Sequence, residues 1–516
     1  MPLRIKILFL TLACACLILL TGCWDKREPD DLAFVVSLGV DKGTQNAVKM
    51  TALVIVPSKI YSQSAGSSGS GQAGGKGSFE NITVEAQTIS SGIRLMNTFI
   101  GRELSLKHLK SLVFSESVAR EGLGPYVDFM SRNEELRDSV IISVVRKNEA
   151  GIFLRQLLPL LESSPSKYIE LTTLANRYSA YFPSRATIGE FAKDCKSYDT
   201  QPIAVLVGME HSSSNSSQSS GGQSSGGQSS GPSEPSPSTQ PSGSSQQSGS
   251  AQPSPSKQPS PSTQPSGSSQ QSQSSGQSDE QPGGGQSSAQ VPYQKPYKDD
   301  IPETNTNEGE YIAGEIPKAG GVPRDLMGTA IFDGDKMVGE FDGIETAVML
   351  MLRDDFRRMT LSVEDPLQKG MYVVVTLLRE HAPKIKATRN GDKFDVKADI
   401  YIEGSFVTVQ SGTNYEDQKN MRKLEAHVSS VINSVAKSII DTAQKQYHSD
   451  VFSFGGNARR TCLTKPKWEA LNWKKIFSTN VKVSVETHFV IRRTGATNRT
   501  DPIIDSQGNE THGNKD

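Results

Sequence analysis

Hydrophobic and polar positions along the chain fall into three regimes. A predominantly apolar run from Ile7 to Leu20 follows Arg4 and Lys6. Two long regions, about 24–210 and about 324–495, mix β-type alternation with helical spacing, and a stretch almost free of apolar side chains lies between them. In the first region, "LAFVVSLGVDKG" (32–43) and "AVKMTALVIVP" (47–57) predict a hairpin turning at Gly43, and "SFENITVEAQ" predicts a third strand. Ile89, Ile93, Met96 and Ile100 are spaced for an amphipathic helix. "LKSLVFS" (109–115) and "SVIISVVRK" (139–147) read as strands around a short helix at "GLGPYVDFMSR" (122–132). Residues 149–195 read as mostly helical and "PIAVLVGM" (202–209) as a closing strand.

In the second region, "DLMGTAIFDGDKMVGEFD" predicts two strands around Asp333-Gly334-Asp335, followed by a helix entered at Gly343. "MYVVVTLLRE", "KIKATRNGDKFDVKADIYIEGSF" and "VKVSVETHFVIRR" supply further strands, with Asn390-Gly391 as the strongest hairpin signal. The longest helix lies between them, its apolar face built from Leu424, Val428, Val431, Val435, Ile439 and Ala443. The predicted class is α+β and multi-domain: mixed sheets flanked by helices, in two folded regions. The opening hairpin argues against a purely parallel doubly wound sheet. The predicted segments are a signal peptide at 1–22, an N-terminal region at 23–210, a low-complexity linker or insertion at 211–323, a C-terminal region at 324–495 and a polar tail at 496–516.

Residues 211–290 are nearly all Ser, Gln, Gly and Pro, and "PSPSTQPSGSSQQS" occurs twice, at 235–248 and 259–272. Such a segment cannot bury enough apolar surface to offset the entropy of ordering it, so it is expected to be disordered. As a flexible coil it would span about 50 Å. A smaller Gly/Ser-rich patch at 62–77 reads as a long loop.

The opening run changes the picture more than the bulk composition does. Basic residues, an apolar middle and small residues before a cut form a secretory signal, and Ile7 to Leu20 is shorter than the roughly twenty residues a membrane-spanning helix needs. It closes on Leu20-Thr21-Gly22-Cys23, which fits the bacterial lipobox. The expectation is cleavage between Gly22 and Cys23 and a diacylglycerol thioether on Cys23, with the new amino terminus able to take a further acyl chain. One chain holds marginally and two hold stably. Trp24, Asp25, Arg27 and Glu28 then become the first mature residues above the lipid, read either as a solvated spacer or as a strand that docks on a partner.

The formal charge of −1 becomes −3 once Arg4 and Lys6 leave with the signal, which gives no reason to expect nucleic acid as a partner. Of the five cysteines, only Cys195 and Cys462 remain beside the lipid acceptor, without metal-ligand spacing, and whether they pair is left open. There is no Walker loop, nucleophile elbow, His-Glu-x-x-His or Cys-x-x-Cys, and the seven histidines are scattered with no carboxylate at ligand spacing. No catalytic residue and no metal ligand is predicted, and the Asp333-Gly334-Asp335 turn lacks the ligand count of a calcium loop. Glu345 is read either as a complement to the dipole of its helix or as a partner contact, and Trp468 and Trp473 as core residues.

Four stretches together carry a resemblance: "CWDKREPDDLAFVVSLGVDKG", "RELSLKHLKSLVFSESVAREGLGPYVDFMSRNEELRDSVIISVVRKNEA", "GTAIFDGDKMVGEFDGIETAVMLML" and the tail "DVFSFG" with "PKWEALNWKKIFSTNVKVSVETHFVIRRTG". In that order they resemble the Ger(x)C family, the lipoprotein C subunits of spore germinant receptors. The resemblance implies a non-catalytic lipoprotein with A and B membrane subunits as partners. It would be anchored to the outer face of the cytoplasmic membrane that becomes the spore inner membrane, and be required for nutrient-triggered germination. The polar tract and the 62–77 loop depart from the family pattern. The competing class is a lipid-anchored solute-binding protein feeding a transporter, against which the hairpins and the polar divider argue.

Overall fold

The computed structural model describes residues 2–8, 10–11, 31–55, 79–156, 165–175, 178–209, 308–318, 322–495, 503–508 and 510–512. The polar tract, the 62–77 loop and the segment from Gly22 to Glu28 lie outside the described residues. Among the described residues no helix is long and apolar enough to cross a membrane.

The first sheet contains β1 (Leu32–Lys42), β2 (Val48–Ile55), β3 (Phe79–Ala86), β4 (Glu103–Ser105), β5 (Ser111–Ser115), β6 (Ile141–Val145), β7 (Ile203–Met209), β8 (Arg324–Asp333) and β9 (Lys336–Phe341). Its order is β3-β2-β1-β5-β6-β7-β8-β9, with β4 beside the start of β1. β1, β5, β6 and β7 run parallel, while β2, β3, β8 and β9 join through antiparallel pairs, so the sheet is mixed as the opening hairpin required. Successive residues of a strand point to opposite faces. A Cβ on Gly92 would meet Met50, and one on Gly151 would meet Thr51, which places the helices Ile89–Ile100 and Ala150–Arg155 on opposite sides of β2. Burial on both faces is why β1 and β7 read as continuous apolar runs.

β8 and β9 follow the polar tract in sequence, yet β8 pairs with β7, from Ile203 against Ile331 to Met209 against Arg324. All seven residues of β7 are buried, so its outer edge needs a hydrogen-bonding strand, and β8 supplies it. The first sheet therefore spans both sides of the tract.

The second sheet has the order β10-β11-β13-β12, from β10 (Arg358–Glu364), β11 (Tyr372–Arg379), β12 (Lys384–Asn390) and β13 (Lys393–Val409), with β14 (Val481–Arg493) parallel to β13. Phe394, Val396, Ala398, Ile400 and Ile402 face the core and alternate with solvent-facing Asp395 and Lys397. Gly391, with φ of 64°, opens the two-residue loop between β12 and β13, where a tight hairpin favours glycine. The long helix Gln418–Thr442 covers the inner face behind an Asp417 cap that accepts from Lys419 and Asn420 N–H. Its fully buried positions are Leu424, Val428, Ile432, Ala436, Ile439 and Ile440, followed by Ala443 in the π turn Ala443–Tyr447. Val431 and Val435, predicted for the core, are only partly buried. Steps of four residues advance about 40° around a 3.6-residue helix, so the buried stripe winds to positions one residue further on.

Candidate functional site

Of the residues singled out in the sequence, Gly22, Cys23, Trp24, Asp25, Arg27 and Glu28 fall outside the described residues. Glu345 lies at the start of the Gly343–Leu352 helix, where it forms a capping box with Asp342. Glu345 N–H donates to Asp342 Oδ1 at 2.8 Å, and Asp342 N–H donates to Glu345 Oε2 at 3.1 Å. The Glu345 carboxylate thus serves its own helix terminus. Burial raises both carboxyl pKa values, that of Asp342 to about 7. In the unfolded chain Asp342 ionises near 3.8, so between about 4 and 7 unfolding releases its proton and stability falls as pH rises. Asp342→Asn is therefore expected to reduce the decline of the melting temperature over that window; identical pH profiles for the two proteins would contradict this assignment.

The histidines are less scattered in space than in sequence. His488 on β14 stacks on Tyr401 of β13 at 4.7 Å, and His381 packs on the same ring at 4.0 Å. His488, Asp399 and Glu486 bring potential ligand atoms within 4.8 Å of one another, contrary to the expectation that no histidine meets a carboxylate. The parallel β13–β14 pairing creates this cluster from residues far apart in the chain. Lys397 offsets one of its two carboxylate charges, its Nζ standing 3.3 Å from Asp399 and 2.9 Å from Glu486. The Asp333-Gly334-Asp335 turn is used internally: Asp333 accepts from Gln201 Nε2 at 2.8 Å, and Asp335 accepts from Gly124 N–H at 2.9 Å.

The densest polar constellation joins the two halves of the chain. Asp450, fully buried, accepts from the N–H groups of Phe452, Phe454 and Gly455 and from Trp473 Nε1, the last two at 2.8 Å. Burial raises its pKa, against the pull of these four donors. Its backbone carbonyl accepts from Gln201 N–H, and the Gln201 side chain in turn holds Asp333, Gly334 N–H and Lys474. Beside it, Trp468 Nε1 donates to Asp199 Oδ1 at 2.5 Å, and Arg459 donates to the other oxygen at 3.0 Å. Trp468 and Trp473 stack at 5.4 Å and are essentially without solvent exposure, as expected for core residues. Ser449 Oγ reaches Phe332 O at 2.6 Å and Arg353 reaches Val451 O at 2.5 Å. Asp199, Gln201, Phe332 and Asp333 belong to the first sheet or its approach, whereas Asp450 to Lys474 belong to a loop and the short helices beside the second.

Gly455 is a point of close backbone approach in the seam: a Cβ there would stand 2.0 Å from Asp199 O and 2.6 Å from Trp473 Nε1. Gly455→Ala is expected to lower the urea midpoint clearly, because a backbone carbonyl and a buried indole cannot both give way. An unchanged midpoint would show that the seam is looser than these contacts require.

Little in this seam is suited to bond chemistry. Burial pushes the Cys195 thiol up to about 12, the reverse of an activated nucleophile. Cys195 and Cys462 are both free, and Cys195 Sγ sits 3.5 Å from Gly334 O. The adjacent cleft, about 170 Å³ beside Arg185, Asp194, Arg353 and Asp355, is lined by charges that already pair with one another.

The segments that build both halves match two family descriptions in chain order. "Spore germination protein N-terminal domain" covers residues 25–209, and "Spore germination B3/ GerAC like, C-terminal" covers residues 327–495. The chain belongs to the Ger(x)C family of spore germination proteins. Relatives of this Ger(x)C protein in Bacillus subtilis (strain 168) include the putative spore germination protein YfkR, 28% identical over 37% of this chain and 47% of its own length. Spore germination protein KC is 29% identical over 32% of this chain and 40% of its own, and spore germination protein B3 is 28% identical over 30% and 40%. The matched segments span less than half of each of these relatives. The crystal structure of the GerBC protein aligns at 13% identity over 88% of this chain and 96% of that one, with a TM-score of 0.42.

Proposed function

We propose that this Ger(x)C protein is a lipid-anchored, non-catalytic subunit of a spore germinant receptor, required for nutrient-triggered germination. The observation that carries this reading is the order of the matches: the first germination-protein region begins at residue 25, directly after a lipobox ending in Cys23, and the second follows at 327–495. The reading gives Cys23 a diacylglycerol thioether, with a further chain on its amino group. It places the protein on the outer face of the membrane that becomes the spore inner membrane, beside A and B membrane subunits. Trp24, Asp25, Arg27 and Glu28 are then the residues nearest both lipid and partners, since the sequence runs from them into β1 without a Gly/Ser linker.

A non-catalytic role is supported by the chemistry of the seam, where the Asp450 carboxylate spends its hydrogen bonds on its own loop and Trp473, and the Asp199 carboxylate spends its bonds on Trp468 and Arg459 across the two halves. Such wiring suits a rigid adaptor that passes a partner's movement across the subunit. Affinity purification of the chain from detergent-solubilised spore membranes tests the assignment. Recovery together with one transporter-like and one larger multi-span subunit is the expected result, and recovery alone from membranes that retain both would overturn it.

A further inference from the structure

We infer that a basic cleft at the tether end of the first sheet binds the phosphate of an anionic lipid headgroup. This inference rests on the proposed anchor at Cys23. The cleft measures about 340 Å³ and is formed where three chain segments enter the sheet. Lys107, His108 and Lys110 precede β5, Arg137 and Ser139 precede β6, and Thr187 caps the Ile188–Cys195 helix. Backbone bonds tie these entries together: Lys110 N–H donates to Val36 O at 2.8 Å, and Ile141 N–H donates to Lys110 O at 3.0 Å. Leu109, Ile141 and Ile169 give the cleft an apolar floor, and Ser139, Ser184 and Thr187 add hydroxyls.

The charges do not cancel. Among the described residues Glu170 is the one carboxylate in the lining, and it pairs with Lys110 at 3.2 Å. Lys107 and Arg137 make no ion pair among the described residues, although both line the same concave surface. The mature chain is net anionic, so this local cationic excess is not a property of the surface at large. Two free cations beside hydroxyls and an apolar floor match a phosphate ester attached to carbon better than a bare inorganic anion.

Position selects the source of that phosphate. His108 packs edge-on against Phe34 at 4.8 Å, and Phe34 lies in the first three residues of β1, which pair with β4. The cleft therefore sits where β1 begins, and nine residue steps separate Leu32 from Cys23. Extended chain reaches at most about 30 Å over that length. An acylated Cys23 would keep this end of the domain within about 30 Å of the bilayer, close enough for it to enter the roughly 10 Å layer in which anionic headgroups attract lysine and arginine.

The test uses the acylated full chain added to vesicles of phosphatidylcholine alone or with one-third phosphatidylglycerol, read by flotation and by hydrogen exchange of segments 105–111 and 136–142. The anchor predicts flotation with both vesicle types. The cleft predicts slower exchange in both segments only when phosphatidylglycerol is present. Lys107→Gln combined with Arg137→Gln should abolish that difference, each lost charge weakening the contact about fivefold. Equal exchange with both vesicle types would overturn the proposal. So would equal protection by free glycerol 3-phosphate over phosphatidylcholine, which would mark a soluble ligand instead. If the chain does not float with neutral vesicles, the anchor fails separately. Flotation with phosphatidylglycerol vesicles, or its absence, then decides the cleft.

Discussion

Asp450→Ala destabilises the protein by about 4 kcal/mol or more. The carboxylate is the shared acceptor for three backbone N–H groups and the Trp473 indole, all in a fully buried site. Truncation leaves four buried donors without a partner, each costing about 1–3 kcal/mol, and a small cavity adds to the loss. Asp450→Asn is milder, because the amide oxygen still accepts and burial already disfavours the charged carboxylate. Urea unfolding followed by tryptophan fluorescence measures both, since the stacked Trp468–Trp473 pair reports on the seam itself. Equal midpoints for wild type and Asp450→Ala would show that the four hydrogen bonds do not organise this junction.

Cys23→Ala is expected to leave the chain without the proposed lipid. Without the thiol there is no thioether, and the proposed anchor contributes about 0.8 kcal/mol for each buried methylene of its acyl chains. The variant is expected to incorporate no labelled fatty acid and to leave the mature membrane fraction. It either appears in the soluble fraction or persists as precursor with the Ile7–Leu20 run attached. Full fatty-acid incorporation by the variant would contradict the assignment of this residue.

Local geometry was legible in the sequence wherever a short period decided it. Alternation in β13, the hairpin of β1 and β2, the glycine between β12 and β13 and the entry to the Gly343–Leu352 helix all follow from residues within a few positions of one another. Partnership between distant segments was not legible. β7 and β8 meet across the polar tract, and an apolar pattern states that a strand is buried without stating which strand lies beside it. The same limit explains the meeting of His488 with Asp399 and the convergence of Lys107, Lys110 and Arg137 from separate loop segments. Asp450 shows a middle case. An aspartate before "VFSFGG" is a recognisable turn-former, but only the fold reveals that it also receives an indole from Trp473 and links to Gln201. The winding of the buried stripe in the long helix arises because 3.6 residues per turn carries a spacing of four steadily around the axis.

The assembly proposed for this Ger(x)C protein depends on what is attached to its first mature residue. Mass spectrometry of the N-terminal peptide, from protein purified out of its native spore membrane, measures that directly. The account predicts a peptide beginning at Cys23 that carries a diacylglycerol on sulfur. A peptide beginning elsewhere, or an unmodified Cys23, would contradict it.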